Sequence, residues 1–210
     1  MKKHTRRHHA AFTLIELMAV ITIIVILAAL VVGGMGFVNE RQSKEKAKVQ
    51  LAILAKALEE YKLDNGAYPP TANKTGSFTT SGTGTTAELY VALFYEGYDY
   101  ANQNSPASWT KKVNGVDVPK ATKIYIPELN PINSKQGWTD PVTGTTPPAS
   151  VPIKDPWGNQ YCYRTATNNA GTANAATQNP DFDLWSMGKN GKSSPDTPAN
   201  NDNRDDIKAN

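Results

Sequence analysis

One carboxylate stands inside an apolar stretch at the start of this chain. Residues 8–20 read HHAAFTLIELMAV, and Glu16 precedes sixteen residues, Leu17 to Val32, in which Thr22 is the only polar one. A carboxylate in a lipid-embedded helix costs on the order of a few kcal/mol, so it indicates a function and a cationic partner. If the chain is cut between Ala11 and Phe12, the new α-amino group is such a cation. A neighbouring copy shifted along the helix axis can bring its amine to this carboxylate, and the two charges then neutralise each other only on assembly.

The other end of the chain offers hard oxygen ligands. Residues 188–210 read GKNGKSSPDTPANNDNRDDIKAN, a segment with almost no apolar residue that could fold by burial. Calcium takes six to eight oxygens from carboxylates, amides and backbone carbonyls, and this segment supplies all three kinds. Composition alone leaves two interpretations open, a cation-binding loop and a disordered polar tail.

No pattern of an enzyme active site is present. The sequence contains no HExxH, P-loop, CxxC or nucleophile-elbow motif, and its three histidines all lie within the first nine residues. Glu59 and Glu60 are adjacent on a predicted helix and face different ways, so they make a poor acid–base pair. We therefore expect no enzyme. The single cysteine also rules out an intramolecular disulfide.

The basic character of the chain is concentrated at its N-terminus. Residues 1–11 carry four Lys and Arg and no acid, which leaves 18 basic against 19 acidic residues in the rest. This distribution does not indicate a nucleic-acid surface, and we expect no direct nucleic-acid partner. Four cations ahead of an apolar run long enough to span a bilayer predict a cytoplasmic N-terminus, with residues beyond about 38 on the other side.

Three interpretations fit this N-terminus. A secretory signal peptide is disfavoured by the long apolar core and by Glu16. A plain single-pass anchor explains the length but not the acid. A cleaved leader of residues 1–11, followed by a transmembrane and assembly helix over 12–37, explains both.

The helix is predicted to continue past the membrane into a soluble head, residues 38–210. Leu51, Leu54, Leu58 and Tyr61 recur at spacings of three and four, with Ile53 and Ala57 beside them, which predicts an amphipathic helix over 38–64. Just before this segment, three glycines in residues 33–36 are expected to weaken the helix. Asn65-Gly66, followed by two prolines, predicts its end.

The remainder divides into a variable loop region, 65–153, and a C-terminal sheet with the oxygen-rich loop, 154–210. Within the first, residues 87–100 predict a short helix that packs Leu89, Leu93 and Phe94 on the long one, and 123–129 predict a short extended piece. In the second, QYCYR and DFDLWSM predict paired strands, with Tyr161 and Tyr163 on one face and Cys162 on the other.

Two sets of motifs resemble one known family. The sequence Ala11, then Phe-Thr-Leu-Ile-Glu and a long apolar run, resembles the prepilin-peptidase signature of the type IV pilin and type II secretion pseudopilin superfamily. Residues 61–69 (YKLDNGAYP), 155–164 (DPWGNQYCYR) and 183–191 (DLWSMGKNG) resemble the G-type major pseudopilin at roughly 48–70 and 154–207, with the middle unmatched. One departure is Ala11, where the family usually has Gly.

The resemblance implies an α+β fold, in which a long N-terminal helix packs on a small C-terminal antiparallel sheet with a loop-rich middle. It implies cleavage between Ala11 and Phe12 by a prepilin peptidase, N-methylation of Phe12, and a subunit held in inner-membrane lipid before it polymerises with itself. Its further partners would be the assembly platform and the minor pseudopilins.

The implied function is that of a periplasmic type II secretion pseudopilus, which helps export folded proteins across the outer membrane. A type IV pilin in a surface fibre is the alternative. A membrane-anchored binding module that never polymerises would require Glu16 to be incidental.

Carried over position by position, the calcium ligands of the family fall on Asn190, Asp205 and Asp206, with a backbone carbonyl near Met187. The family usually has Asp in place of Asn190, and Asp196 and Asp202 are the nearby acids that could compensate for the missing charge. The resemblance therefore implies a Ca2+ ion that braces a domain without disulfides.

Overall fold

The computed structural model of the chain describes residues 13–71, 78–79, 86–102, 109–113, 116–134, 136–167 and 173–209. The predicted cleavage pair, Ala11 and Phe12, lies outside the described residues. The chain divides into two compact units, residues 1–42 and 43–210. The second unit is the α+β arrangement predicted above, since the C-terminal part of the long helix packs with a small antiparallel sheet.

Helix α1 runs from Leu14 to Asn65 and belongs to both units. It is helical through residues 33–36. That the three glycines there weaken it remains a prediction. It ends where predicted: Gly66 takes a positive φ of 78°, which glycine adopts without steric cost, and its N–H donates to the carbonyl oxygen of Lys62 (2.8 Å). The Asn65 side chain also donates to the carbonyl oxygen of Tyr61 (2.9 Å).

One face of α1 lies in the core of the second unit. The predicted positions Leu51, Leu54, Leu58 and Tyr61 are buried, and Ala57 is buried with them. Ile53 was expected beside this stripe but is 41% exposed, because it falls on the opposite side of the helix from Leu51 and Leu58. The buried stripe therefore follows the three-and-four spacing without widening to Ile53.

A second helical segment packs against this face. It consists of α2 (Thr86–Tyr90), a π-helical turn (Val91–Tyr95) and α3 (Glu96–Asn102). Leu89, Leu93 and Phe94 are buried in the main core, as predicted. Gly97 permits close approach of the backbone that follows, since a Cβ atom there would overlap the main chain of Lys123 and Ile124.

The loop-rich middle contains a hairpin of β2 (Thr110–Val113) and β3 (Val116–Pro119), in which Thr110 pairs with Pro119. The extended piece expected at 123–129 is wrong in its second half. Pro127–Leu129 forms a 3-10 turn, because proline presets the helical φ at its first position, and the turn buries Leu129. A second 3-10 turn, Pro131–Asn133, follows it.

The main sheet is antiparallel throughout, with its strands in the order β4 (Tyr161–Thr165), β5 (Phe182–Ser186) and β7 (Ile207–Lys208). Strands β4 and β5 are the predicted pair, with Tyr163 opposite Leu184. Tyr161 and Tyr163 lie in the main core, whereas Cys162 packs with Trp185 and Met187 on the other face. Tyr161 also joins the sheet to α1, because its hydroxyl donates to Gln50 Oε1 (2.7 Å).

Residues 188–209 are structured and do not form a disordered tail. They contain β6 (Lys192–Ser193), which pairs with β1 (Phe78–Thr79), a 3-10 turn at Asn201–Asn203, and the edge strand β7 (Ile207–Lys208). Hydrogen bonds from Asn203, and not apolar contacts, hold this segment together. The Asn203 side chain accepts from the Ser194 N–H (2.6 Å) and donates to the carbonyl oxygens of Ser194 and Thr197 (both 3.0 Å).

The close contact at Gly97 gives a test of this packing. Gly97→Ala should lower the free energy of unfolding by on the order of 2 kcal/mol despite the better helix propensity of alanine, because the added methyl meets backbone and not a movable side chain. Thermal unfolding of the full chain in detergent measures it. The control is Ala101→Gly at an exposed position of α3, which should cost only the propensity difference; a Gly97→Ala variant as stable as the unaltered chain would contradict the contact.

Candidate functional site

The N-terminus of α1 is closed by a reciprocal pair of hydrogen bonds between Thr13 and Glu16. The Thr13 N–H donates to Glu16 Oε2 (2.8 Å), the Thr13 hydroxyl donates to the same oxygen (2.7 Å), and the Glu16 N–H lies 3.4 Å from Thr13 Oγ1. Thr13 precedes the first helical residue, so the two residues form a capping box. They satisfy N–H groups that the first turn of any helix leaves without partners.

This capping role was not predicted, although the sequence carries its signal. The pattern Thr-Leu-Ile-Glu has the Thr-x-x-Glu spacing of a capping box immediately before an apolar run. Both bonds from Thr13 end on Oε2, and no hydrogen bond to Oε1 is present among the described residues. The predicted partner, the amine of Phe12 in a neighbouring copy, lies outside the described residues, so that pairing remains a prediction.

The helix that follows is apolar on every side. Between Leu14 and Val32 all large hydrophobic side chains are at least half exposed within the chain, and the helix is long and apolar enough to cross a membrane. The one hydroxyl between Leu14 and Val32, on Thr22, donates to the carbonyl oxygen of Met18 (2.8 Å) and is satisfied within the helix. A helix that is hydrophobic all round requires lipid or other protein around it.

The C-terminal loop brings two of the four predicted calcium residues, Asn190 and Asp205, into contact. The Asn190 N–H donates to Asp205 Oδ2 (2.8 Å), its Nδ2 donates to the carbonyl oxygen of Asp202 (2.9 Å), and its Oδ1 accepts from the Lys192 N–H (2.7 Å). Gly188 permits this approach: its φ is +61°, and a Cβ atom there would overlap both the carbonyl oxygen and the carboxylate of Asp205. Asp206 is the next residue, and Met187 precedes the turn, buried in the second cluster.

Asp206 has an uncompensated carboxylate. Its Oδ2 accepts from the Ser193 hydroxyl, while its Oδ1 is buried without a hydrogen-bond partner. The pKa of Asp206 is raised to about 6, mainly by burial and also by the nearby Asp205 and Asp202, against the lowering effects of the hydrogen bond from Ser193 and of Lys208. A carboxylate in such surroundings is stabilised either by a proton or by a cation.

The predicted residues supply only two carboxylates, so a calcium ion here would also need oxygens from neutral groups. Among the described residues no three His, Cys, Asp or Glu side chains form a group that could hold a metal ion. The predicted set contains two carboxylates, so the remaining oxygens must come from the Asn190 amide and from carbonyls of the loop. Asp196 does not compensate for the missing charge, because it is ion-paired to Arg164 Nη1 (2.8 Å). Asp202 remains close to Asp206.

The DPWG turn positions this loop. Asp155 Oδ1 accepts from the N–H groups of Trp157 and Asn159 (3.0 and 2.9 Å), and its Oδ2 accepts from the Ser186 hydroxyl (2.6 Å). The Ser186 oxygen in turn accepts from the Gly188 N–H (3.0 Å), and the Asn159 amide donates to the Gly188 carbonyl oxygen (2.6 Å). The DPWG turn therefore fixes the 188–191 turn through Ser186 and Asn159.

Arg164 fixes the other end of the loop and was not predicted. Its side chain is completely buried, with Nε 3.0 Å from Asp183 Oδ2 and the guanidinium over the ring of Trp185. Its ion pair with Asp196 ties the loop to β4 and β5. An arginine in a predicted strand gave only a weak signal, because alternation alone does not tell whether such a residue faces solvent.

Comparison with known proteins gives two family matches. Residues 6–32 match the family described as "Prokaryotic N-terminal methylation motif". Residues 37–109 match the family described as "Type II secretion system (T2SS), protein G". No solved structure is similar to this chain.

Individual relatives extend the similarity. The chain is 30% identical over 187 residues to "Type II secretion system core protein G" of Pseudomonas aeruginosa, an alignment that covers 89% of this chain and 88% of that protein. It is 44% identical over 66 residues to the protein of the same name from Aeromonas hydrophila, covering 31% of this chain and 46% of that one. The expectation that the middle is unmatched is wrong, since the first alignment leaves only 23 of the 210 residues outside it.

The buried guanidinium of Arg164 gives a test of what anchors the C-terminal loop. Arg164→Met should lower the free energy of unfolding by about 3 kcal/mol or more, because Asp183 and Asp196 lose the cation that neutralises them while Asp183 stays buried. Chemical denaturation of the full chain measures it. Lys48→Met, which removes an exposed ion pair with Glu45 on the surface of α1, is the control and should change stability little. Equal effects of the two substitutions would show that Arg164 does not anchor the loop.

Proposed function

Because this chain belongs to the family of type II secretion system protein G, we propose that it is the structural subunit that polymerises into a type II secretion pseudopilus. The family is structural and not enzymatic. The observation that carries the proposal is the first half of α1, which is apolar on every side and begins at a processing and methylation motif. Lipid surrounds such a helix in the separate subunit, and the helices of other subunits surround it in a fibre.

Maturation would occur at the border of the leader. A prepilin peptidase cuts between Ala11 and Phe12 and methylates the new amine of Phe12, which the match to the methylation motif at 6–32 supports. The amine then lies four residues before Glu16. The basic leader supports a cytoplasmic N-terminus, and the head would lie in the periplasm, with the inner-membrane assembly platform and minor pseudopilins as partners.

Glu16 would pair with the Phe12 amine of a neighbouring subunit, and its charge can be separated from its capping function. Glu16→Gln keeps a side chain that serves in a capping box but removes the charge, whereas Thr13→Ala removes the cap and keeps the charge. If assembly depends on the charge, Glu16→Gln should reduce the yield of sheared fibres at least about tenfold, as expected for loss of an ion pair in lipid. Thr13→Ala should assemble with a smaller loss.

The readout is the amount of fibre and of secreted protein in a strain complemented with each variant, with subunit level and processing measured by immunoblot and mass spectrometry. Normal assembly of Glu16→Gln with failure of Thr13→Ala would refute the ion pair and assign Glu16 to capping alone. Intact secretion together with loss of surface fibres in the deletion strain would contradict the pseudopilus and favour a type IV pilin.

The C-terminal loop would bind calcium. The proposed ligands are the side-chain oxygens of Asn190, Asp205 and Asp206 with a carbonyl near Met187, supported by the unpartnered Oδ1 of Asp206 and by the direct contact of Asn190 with Asp205. The ion would supply positive charge to a carboxylate that burial destabilises. It would stabilise a domain that has no disulfide, since its single cysteine, Cys162, is buried and has no second cysteine in the chain to bond with.

Replacing Asp206 should raise the stability of the chain without calcium and remove the stabilisation that calcium gives. In the absence of calcium its pKa of about 6 exceeds the ordinary value of about 3.9, so protonation favours folding; this contribution is complete below about pH 4 and is lost as the pH rises through 6. Asp206→Asn should therefore raise the stability of the calcium-free chain at pH 7, by on the order of 1 kcal/mol after solvent screening. It should also abolish stabilisation by added calcium.

Thermal unfolding at pH 7 with a chelator, with calcium and with magnesium distinguishes these effects. Asp140→Asn removes the same charge at an exposed ion pair with Lys154 and should leave the response to calcium unchanged. A calcium-dependent rise in Tm that persists in Asp206→Asn would remove Asp206 from the ligand set. No rise in any variant would refute the site.

A further inference from the structure

We propose that the Asn190-Gly191 pair is a site of self-modification, at which the Asn190 amide is converted to a carboxylate. Asn190 is exposed at the end of the 188–191 turn. Glycine is the residue that least hinders attack of its own main-chain nitrogen on the preceding side chain, because it has no Cβ. Gly191 has a φ of +63°, a conformation that other residues adopt only with strain, so the position strongly favours this reactive residue.

The hydrogen bonds of the turn place the amide for this reaction. The Lys192 N–H donates to Asn190 Oδ1 (2.7 Å), and this bond withdraws electrons from Cγ and stabilises negative charge on the oxygen during attack. Among the described residues the Gly191 N–H donates no hydrogen bond, so its nitrogen is not held in a competing contact. Gly191 is buried, and we therefore expect the reaction to be slower than in the unfolded chain.

A second Asn-Gly pair provides a contrast within the same molecule. The Gly66 N–H donates to the carbonyl oxygen of Lys62 (2.8 Å), and the Asn65 amide donates to the Tyr61 carbonyl oxygen and to the Tyr125 hydroxyl (2.9 and 3.0 Å). The Asn65 amide is thus bonded, as the Asn190 amide is to Asp202, so the two pairs differ in the nucleophile: the Gly66 N–H is held at the end of α1. Attack at Asn65 requires the Gly66 hydrogen bond to open first, which protects it.

The reaction needs only water. The Gly191 nitrogen loses its proton to solvent base and forms a bond to Asn190 Cγ, the bond from Cγ to Nδ2 breaks, and the nitrogen leaves as ammonia after taking up a proton. The cyclic imide then adds water at one of its two carbonyl carbons. Opening at Cγ gives aspartate with the ordinary peptide bond, and opening at the main-chain carbonyl gives isoaspartate. No atom changes its oxidation state.

The aspartate product changes what the loop can bind. In the unconverted chain the Asn190 amide donates to the carbonyl oxygen of Asp202 (2.9 Å). After conversion two oxygens face each other there, beside the carboxylates of Asp205 and Asp206, an arrangement that repels unless a cation lies between them. The conversion thus exchanges an internal hydrogen bond for a third acidic ligand. This step rests on the calcium site proposed above, whereas the conversion itself does not.

The conversion is measured without calcium. The full chain in detergent is incubated at mildly alkaline pH with a chelator, and the Asn190 and Asn65 peptides are followed by mass spectrometry, with digestion by a proteinase that cuts before aspartate but not before isoaspartate. We expect Asn190 to convert at least about tenfold faster than Asn65, and more slowly than in the same chain in urea. Asn190→Gln, whose longer side chain disfavours ring closure, should show no conversion. Equal rates at Asn190 and Asn65, or no aspartate product at 190, would overturn the proposal.

The consequence for binding is measured separately, by the shift in Tm on addition of calcium to fresh chain, incubated chain, Asn190→Asp and Asn190→Gln. We expect calcium to raise Tm most in Asn190→Asp. The rise in Tm of the incubated chain should lie between that of the fresh chain and that of Asn190→Asp. Conversion without any calcium shift in Asn190→Asp would refute the calcium site and leave the modification standing. A calcium shift that is the same in all four would overturn the proposed link between them.

Discussion

The burial of one face of α1 is the interaction on which the second unit depends. Leu51, Leu54 and Leu58 are each essentially inaccessible to solvent, and α2, the π-helical turn and β4 all pack on the core that they form. Burying a leucine side chain contributes roughly 2 kcal/mol, so these three positions outweigh any surface ion pair in the head. The polar link from Tyr161 to Gln50 then fixes the register of the sheet on this helix.

The loop beyond β5 is organised by polar contacts because it has almost no apolar residue to bury. Asp155 and Asn159 hold the 188–191 turn from one side, Arg164 holds Asp196 from the other, and Asn203 binds the segment between them. Each of these contacts is a hydrogen bond worth only about 1 kcal/mol, or a buried ion pair whose desolvation offsets much of its attraction. Such a loop is ordered at low net stability, which explains why a bound cation would have a large effect on it.

The elements with a strong period were predictable from the sequence, and the contacts between distant polar residues were not. The buried stripe of α1, its end at Gly66 and the alternation of Tyr161, Cys162 and Tyr163 follow from local spacing and local steric rules. Ile53 was misplaced although its spacing from Leu51 and Leu58 already puts it on the opposite side of the helix. Arg164 and Asn203 were missed because their partners lie six to thirty-two residues away in sequence. The capping box of Thr13 and Glu16 is a local pattern and could have been found.

The capping role of Glu16 and its proposed pairing with a neighbouring amine are compatible because they would use different oxygens. The cap ends entirely on Oε2, which receives both the N–H and the hydroxyl of Thr13. A carboxylate carries about four acceptor sites on its two oxygens, so capping leaves Oε1 able to accept from a second donor. The cap also fixes the side chain at the start of the helix, which lowers the conformational entropy lost when a neighbouring amine binds. The same bonds that satisfy the first turn would therefore prepare the carboxylate for the proposed partner, the amine of a neighbouring subunit.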